Sequence, residues 1–454
     1  MSNTTPTTPF YPMTHGDAEE MNETLRGIRN VMETGRAYTI YAFHIDPSES
    51  DPADAVTYMK DAAGMIPARM DYSGSRFDWG SWGNAFFLPR PCMLKYDGTV
   101  DYYLDPDDYS KKADGTASDV ADTSYAGNAM MEWGRDGKRI WYKIVPDENN
   151  NAGATVYIAD GQVDPDYAAW SFINSAGQLA SHFYTPCYFG TIVNDGTNDV
   201  LRSLSGQAGS NRCKSKTAAQ ERTLAKANNP SGVDVWDMEC WADVVLINLL
   251  LILIGKSLDT QTVFGEGLHT GGTDAINNGY TSGQHDAKGL FWGTNSGTAS
   301  SSTYGNAVKV FGMENWYGFM WRRFNGLAMV DGAVKYKMTR GIQDGSAASD
   351  YTTGTSGTDY AGYLAGGSVP TANGTYASEM RFTKDHFLPK TMSGTAATYW
   401  CDGFWSNLSG VRFAFRGGTS NASSRVGAFC LLLYYAPSDA TWYLGAAPSC
   451  KPLS

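Results

Sequence analysis

Tyr399-Trp-Cys-Asp-Gly-Phe-Trp-Ser-Asn-Leu-Ser-Gly-Val-Arg-Phe-Ala-Phe-Arg-Gly-Gly-Thr-Ser-Asn-Ala-Ser-Ser-Arg-Val-Gly-Ala-Phe-Cys-Leu-Leu-Leu-Tyr-Tyr-Ala-Pro-Ser-Asp-Ala-Thr-Trp-Tyr-Leu-Gly-Ala-Ala447 interleaves two residue classes. One is a rigid apolar and glycine frame: Val411, Phe413, Phe415, Gly417, Gly418, Val426, Gly427, Phe429, Leu431, Leu433, Trp442, Leu444 and Gly445. The other is Tyr, Ser, Thr, Asn and Asp set between the frame residues. Tyr gives large contact area at low rotamer cost, and Ser, Thr and Asn give adaptable hydrogen bonds, which is the chemistry of a binding surface. The plainer reading is an ordinary β-rich core with polar turns.

The rest of the chain bounds these two readings. It has 454 residues, 42% hydrophobic and only 18% charged, with 50 glycines and 13% aromatics. That is a globular, β- and loop-rich composition with room for about two to four domains. A net charge of −12 with no Lys/Arg run argues against nucleic-acid partners, which require clustered cations. Met1–Phe10 lacks a basic region followed by an apolar one, so no signal peptide is expected. The apolar run Val244–Ile254 contains Asn248 and is too short to span a bilayer, so no membrane insertion is expected. The seven cysteines are scattered without CxxC spacing, which argues against a disulfide framework and for assembly in a reducing cytoplasm.

Taken in order, Asp17–Thr34 has helical periodicity through Met21, Leu25, Ile28 and Met32. Tyr38–Ile45 alternates as a strand. Residues 55–145 read as short strands between Gly, Pro and Asp turns, with an aromatic cluster at Trp79, Trp82, Phe86 and Phe87. Asp97-Gly98 and Asp136-Gly137 each predict a hairpin. Val156–Ala159 and His182–Thr185 are further strands. A polar stretch over 206–234, with a short helix at Thr217–Ala227, suggests a boundary. Val235–Ile254 is apolar nearly all round after Ala242 and predicts a helix covered on both faces. Residues 265–305, with the island Gly289-Leu-Phe-Trp-Gly293, and 344–378 are Gly/Ser/Thr-rich insertions. Lys309–Leu327 predicts a strand, a turn at Gly312–Asn315 and an aromatic strand. The expected organisation is α+β: a helical attachment segment at 1–35, a β-rich domain at 36–230 and a binding domain with long loop insertions at 235–454.

No catalytic constellation is legible, and an enzyme is not expected. The six histidines are scattered, and none lies in a GxSxG or HExxH context. No glycine-rich phosphate loop precedes a helix. Asp105, Asp107 and Asp108 lack the glycine and distal Glu of a calcium loop and read as a solvated turn.

A family resemblance rests on Val310-Phe-Gly-Met-Glu-Asn-Trp-Tyr-Gly-Phe-Met-Trp321, Phe413-Ala-Phe-Arg-Gly-Gly418, and Val426-Gly-Ala-Phe-Cys430 leading to Trp442-Tyr-Leu-Gly-Ala446. These segments resemble the C-type-lectin-like fold of formylglycine-generating-enzyme type. More narrowly, they resemble the variable proteins diversified by diversity-generating retroelements, such as phage tropism determinants. Upstream, Gly80–Pro106 is similar to the N-terminal halves of gut-phage tail proteins that carry such a domain. The resemblance implies a phage tail-tip receptor-binding adhesin on the virion tail. Its partners would be tail components and a host-surface protein or glycan, and a homotrimer would suit such an assembly. The resemblance further implies that frame residues are structural while randomised positions face the ligand. By spacing, those positions are Phe404, Ser406, Thr419, Asn421, Ala422, Ser423, Tyr434, Tyr435, Asp439, Thr441 and Tyr443. No cofactor or metal is implied. The same fold used as a bacterial surface-displayed or secreted ligand-binding protein is the main alternative. A formylglycine-generating oxidase needs a close cysteine pair, whereas Cys401, Cys430 and Cys450 are far apart in sequence.

Overall fold

In the computed structural model the chain is described over residues 37–271, 279–298, 304–339, 347–351 and 362–453, together with Met21, Asn22, Leu25, Arg26 and Arg29. The expected Asp17–Thr34 helix, and with it the 1–35 segment, lies mostly outside these residues. The fold is a strand-rich mixture of strand and helix, and one sheet curls into a half-barrel. Among the described residues no helix is long and apolar enough to cross a membrane.

Most of the N-terminal strands fall in two larger sheets. One is four-stranded and antiparallel, in the order Val56–Lys60, Ile40–Ile45, Ala154–Ala159, Trp141–Pro146. The other is seven-stranded, in the order Trp236–Met238, Pro448–Cys450, Phe183–Pro186, Gly127–Trp133, Arg90–Lys95, Val100–Asp105, Asp108–Lys112. Asp97-Gly98 makes the expected hairpin between Arg90–Lys95 and Val100–Asp105. Gly98 takes φ 84°, and the Asp97 carboxylate accepts from Thr99 N at 2.9 Å. Asp136-Gly137 does not make a hairpin. Both edges of Gly127–Trp133 are already paired, to Arg90–Lys95 and to Phe183–Pro186. The chain therefore turns a corner at 134–137 and enters the other sheet as Trp141–Pro146.

The apolar run 235–254 divides. Trp236–Met238 is a strand, and Trp241–Gly255 is a helix whose residues are all buried. A helix without a polar face must be covered all round, and here both halves of the chain cover it. Tyr58 Oη donates to Leu253 O (2.5 Å) and Ala68 N to Ile254 O (2.7 Å), satisfying carbonyls of the last turn. From the other side Asn248 Nδ2 donates to Ala428 O at 2.8 Å, and Trp316 Nε1 donates to Asn248 Oδ1 at 3.2 Å. One apolar core runs from Phe43 through this helix to Leu433. The boundary expected near 230–235 therefore separates neither cores nor sheets. Trp236–Met238 and Pro448–Cys450 complete a sheet begun by residues 90–186. The polar 206–234 stretch is a surface connection, and its helix Ala218–Lys226 has a full capping box at Thr217 and Gln220.

The C-terminal sheet has the order Leu364–Ser368, Ala333–Tyr336, Trp321–Val330, Val411–Arg416, Leu431–Leu433, Gly403–Ser406, Asn373–Tyr376, with Leu444–Gly445 parallel to the start of Trp321–Val330. Pairing of Trp321–Val330 with Val411–Arg416 slips between Arg323 and Ala328. The resulting bulge brings Asn325 against the strand–helix junction, where Asn325 N donates to Glu239 O at 2.8 Å. Upstream, the turn joining Lys309–Val310 to Met313–Glu314 falls on Phe311-Gly312, not on Gly312–Asn315. Phe311 tolerates φ 46° because its ring is wedged between Trp133 (5.4 Å) and Phe291 (4.8 Å).

Candidate ligand-binding surface

Beneath the C-terminal surface lies a frame of buried charges. Glu239 accepts from Arg416 Nη2 at 2.8 Å and faces Arg322 Nη1 at 3.4 Å, and all three side chains are sealed from solvent. The Arg416 guanidinium stacks 3.4 Å from the centre of the Trp316 ring and also donates to the Trp316 carbonyl. Burial lowers the Arg416 pKa to about 9, against the pull of Glu239. Gly417 follows in the left-handed region (φ 85°), where a Cβ would come within 2.9 Å of Trp316 O. The Arg-Gly-Gly strand end is thus a packing requirement. Next to it Arg323 pairs with Glu221 at 2.6 Å and lies 4.5 Å over Phe415.

Arg323 links this frame to the surface, since its Nη2 donates to Asp439 O at 3.0 Å. The 436–443 turn is held along its whole backbone. Ala218 N donates to Pro437 O (2.9 Å), Ser215 N to Thr441 O (2.9 Å) and Trp321 N to Tyr443 O (3.0 Å). The Asp439 carboxylate accepts from Ala436 N at 2.7 Å and braces the turn from within. Trp442 packs on a small apolar cluster that includes Leu268, Tyr280, Tyr304 and Phe319.

What this braced turn presents is aromatic. Tyr434 is 41% exposed, and Tyr435 and Tyr443 are half-buried. The Tyr435 and Tyr443 hydroxyls hydrogen-bond at 2.5 Å. Tyr434 meets Tyr435 edge-on at 5.5 Å, and Trp442 meets Tyr443 edge-on at 4.9 Å. Burial, and then the neighbouring Tyr443 hydroxyl, push the Tyr435 phenol above its usual range, so it stays protonated and able to donate.

The 419–424 loop is a second patch. Asn421 and Ser423 are exposed, and Ser423 N donates to His269 O at 3.0 Å. Beside it opens a cavity of about 320 Å³ lined by Tyr72, Glu266, His269 and Ser424, with Glu266 and His269 paired at 2.9 Å. Phe319 ties the two patches together. Its carbonyl accepts from Ser420 N (3.0 Å) and Thr419 Oγ1 (3.3 Å), and its ring belongs to the cluster under Trp442.

The expected surface positions therefore separate. Asn421, Ser423 and Tyr434 are exposed, and Tyr435, Asp439, Thr441 and Tyr443 are partly so. Phe404, Ser406, Thr419 and Ala422 are buried, so their side chains are not part of the exposed surface. Phe404 and Ser406 sit in an interior strand flanked by Asn373–Tyr376 and Leu431–Leu433. The Ser406 hydroxyl is consumed there, donating to Pro370 O (2.7 Å) and accepting from Ala372 N (3.0 Å). Thr419 is consumed by Phe319, and Ala422 packs into the main core. Arg323, Glu266, His269 and Tyr72 are added by the structure. They lie far from residues 399–447 in sequence, and only the helical Ala218–Lys226 and the bulged strand bring Arg323 to the turn. Among the described residues no group of three or more His, Cys, Asp or Glu is placed to hold a metal ion. All cysteines are free and buried. No protein-family model matches the chain, and no curated protein matches it.

Proposed function

We propose that the chain is a receptor-binding adhesin of a phage tail tip. On this reading its C-terminal half is a C-type-lectin-like scaffold of the kind diversified by retroelements. The observation that carries the proposal is the pairing of a backbone-clamped turn with outward tyrosines. Pre-organised backbone lowers the ordering cost of binding, and tyrosines supply anchor contacts. Side chains at Asn421, Ser423, Tyr434 and Tyr443 can change without disturbing the buried frame, which is what a diversified surface requires. The ligand is a host-surface protein or glycan, and repeated copies on a virion would raise weak single contacts to useful avidity.

The test is binding of the purified chain to host cells with Tyr434 and Tyr443 each replaced by Ser. The expected result is a loss of about tenfold or more in binding, equivalent to one anchor contact, with the melting temperature unchanged for Tyr434→Ser and modestly lowered for Tyr443→Ser, which also loses the Tyr435 hydrogen bond. Undiminished binding by both variants would reject the tyrosine surface as the receptor site.

A further inference from the structure

A second concave site lies between residues 75–135 and the 287–292 segment, and none of its lining residues belongs to the tyrosine surface. The 289–293 island does not project as a free loop. Its Phe291 ring stacks on Phe77 at 4.3 Å with planes only 8° apart, and Trp79 meets both rings edge-on at 4.9 and 5.4 Å. This aromatic joint closes one side of a cleft of about 810 Å³ that extends past Arg90 and Tyr103 to Trp292, within the roughly 300–1,000 Å³ of small-ligand sites. Trp79 and Trp292 remain partly exposed along it.

The cleft is cationic in a protein of net charge −12. Arg76, Arg90, Arg135 and Lys288 line it, and among the described residues Asp107 is the one carboxylate lining it. Arg90 is a fixed group: its Nη2 donates to Glu132 (2.6 Å) and to Tyr103 Oη (3.0 Å), with the guanidinium 4.3 Å over the Tyr103 ring. Arg76 and Arg135 are paired to Asp71 and Asp136. Lys288 is different. It is exposed, its ammonium lies 3.9 Å from the centre of the Trp292 ring, and it has no acidic partner among the described residues. An ammonium parked on an indole beside an open cleft is a donor set awaiting an anion.

We propose that this cleft binds an acidic sugar unit, with its carboxylate at Lys288 and its ring against Trp79 or Trp292. The apolar C–H face of a pyranose carries slight positive charge and suits the negative face of an indole. A carboxylate no closer than one per sugar fits better than a contiguous polyphosphate chain, because three of the four cations already have carboxylate partners and Lys288 alone is left to take a charge.

The experiment titrates the intact chain, following tryptophan emission, with two acidic probes: a tetrasaccharide alternating glucuronic acid with N-acetylglucosamine, and tetragalacturonate. Neutral chitotetraose is the control. The expected result is saturable binding of at least one acidic probe, with the neutral one weaker by about tenfold or more, the loss of one charge-assisted contact. Lys288→Glu should weaken the acidic probe by at least a similar factor, Lys288→Arg should retain it, and Tyr434→Ser should leave it unchanged. Equal affinity for neutral and acidic probes, no saturable binding of either acid, or indifference to Lys288→Glu would overturn the proposal. Loss on Tyr434→Ser would overturn it too, by placing the sugar at the tyrosine surface.

Discussion

The Glu239–Arg322–Arg416 frame and the Tyr434–Tyr435–Tyr443 rim, which flanks the turn between Leu431–Leu433 and Leu444–Gly445, solve opposite problems. The frame uses full charges sealed from water, with one carboxylate shared between two guanidiniums. Such groups are costly to bury and very costly to leave unpaired, so the positions that carry them cannot vary singly. The rim uses neutral hydroxyls at a half-wet surface, where loss of a hydrogen bond is made good by water. Arg323, anchored on Glu221 and donating to the Asp439 carbonyl, joins the two. A surface can be exchangeable when the element beneath it is not.

The sharpest way to break this contrast is Glu239→Gln. It leaves two buried guanidiniums without their shared carboxylate, and the expected cost is about 3–5 kcal/mol of unfolding free energy, read from the urea midpoint. A cost below about 1 kcal/mol would show that the frame does not hold the sheet.

Acid probes another buried group, one that is neutral. His386 is buried against Tyr336 (4.1 Å between ring centres) with its Nδ1 3.1 Å from Thr383 Oγ1. Burial, and secondly Arg381, hold its pKa down at about 3. The folded pKa lies below the unfolded value of 6.5, so the unfolded chain binds more protons between pH 6.5 and 3. Stability is therefore lost as pH falls through that window, by about 1.4 kcal/mol per unit for this group. In His386→Gln that dependence disappears. The stability gap between wild type and variant should narrow steadily as pH drops from 6.5 toward 4, measured by denaturation at each pH. A constant gap would mean that His386 does not titrate differently on folding.

Smaller effects are expected at the rim. Tyr443→Phe removes the hydroxyl partner of Tyr435 at a half-buried site, costing about 0.5–1.5 kcal/mol by thermal melt. Tyr434→Ala, at the most exposed ring, should stay within about 0.5 kcal/mol. A cost above about 2 kcal/mol for Tyr434→Ala would make that ring part of the core and erase the contrast.

Much of the local structure is legible in the residues themselves. Asp97-Gly98 specifies its turn by chemistry confined to a few atoms, as does the capping box of the Thr217 helix. The all-round apolar run after Ala242 announces a helix with no exposed face. What is not legible depends on pairing at a distance. Asp136-Gly137 has hairpin chemistry, yet the edges it would join are occupied by strands from elsewhere. Phe404 and Ser406 look like surface positions by spacing, but Phe404 packs into the main core and the Ser406 hydroxyl is taken up by the Pro370 and Ala372 backbone. The polar 206–234 stretch has the composition of a linker, but the residues after it pair with those before it. For the candidate site, the Tyr434–Tyr443 rim could be singled out from one stretch. Arg323 and the Glu266–His269 pair could not, because nothing local ties them to it.

The Pro448–Cys450 strand lies between Trp236–Met238 and Phe183–Pro186, and the Lys451 ammonium is buried 3.0 Å from Asp243. This placement sets an order of events during synthesis. The seven-stranded sheet begun near residue 90 stays open along one edge until the ribosome has passed the whole 399–447 stretch. A frameshift or stop codon arising anywhere in that stretch would leave the sheet unclosed and the ammonium's partner buried alone. Such a chain would carry an unpaired sheet edge and an uncompensated buried carboxylate, so the sheet is completed only after the tyrosine rim has been made.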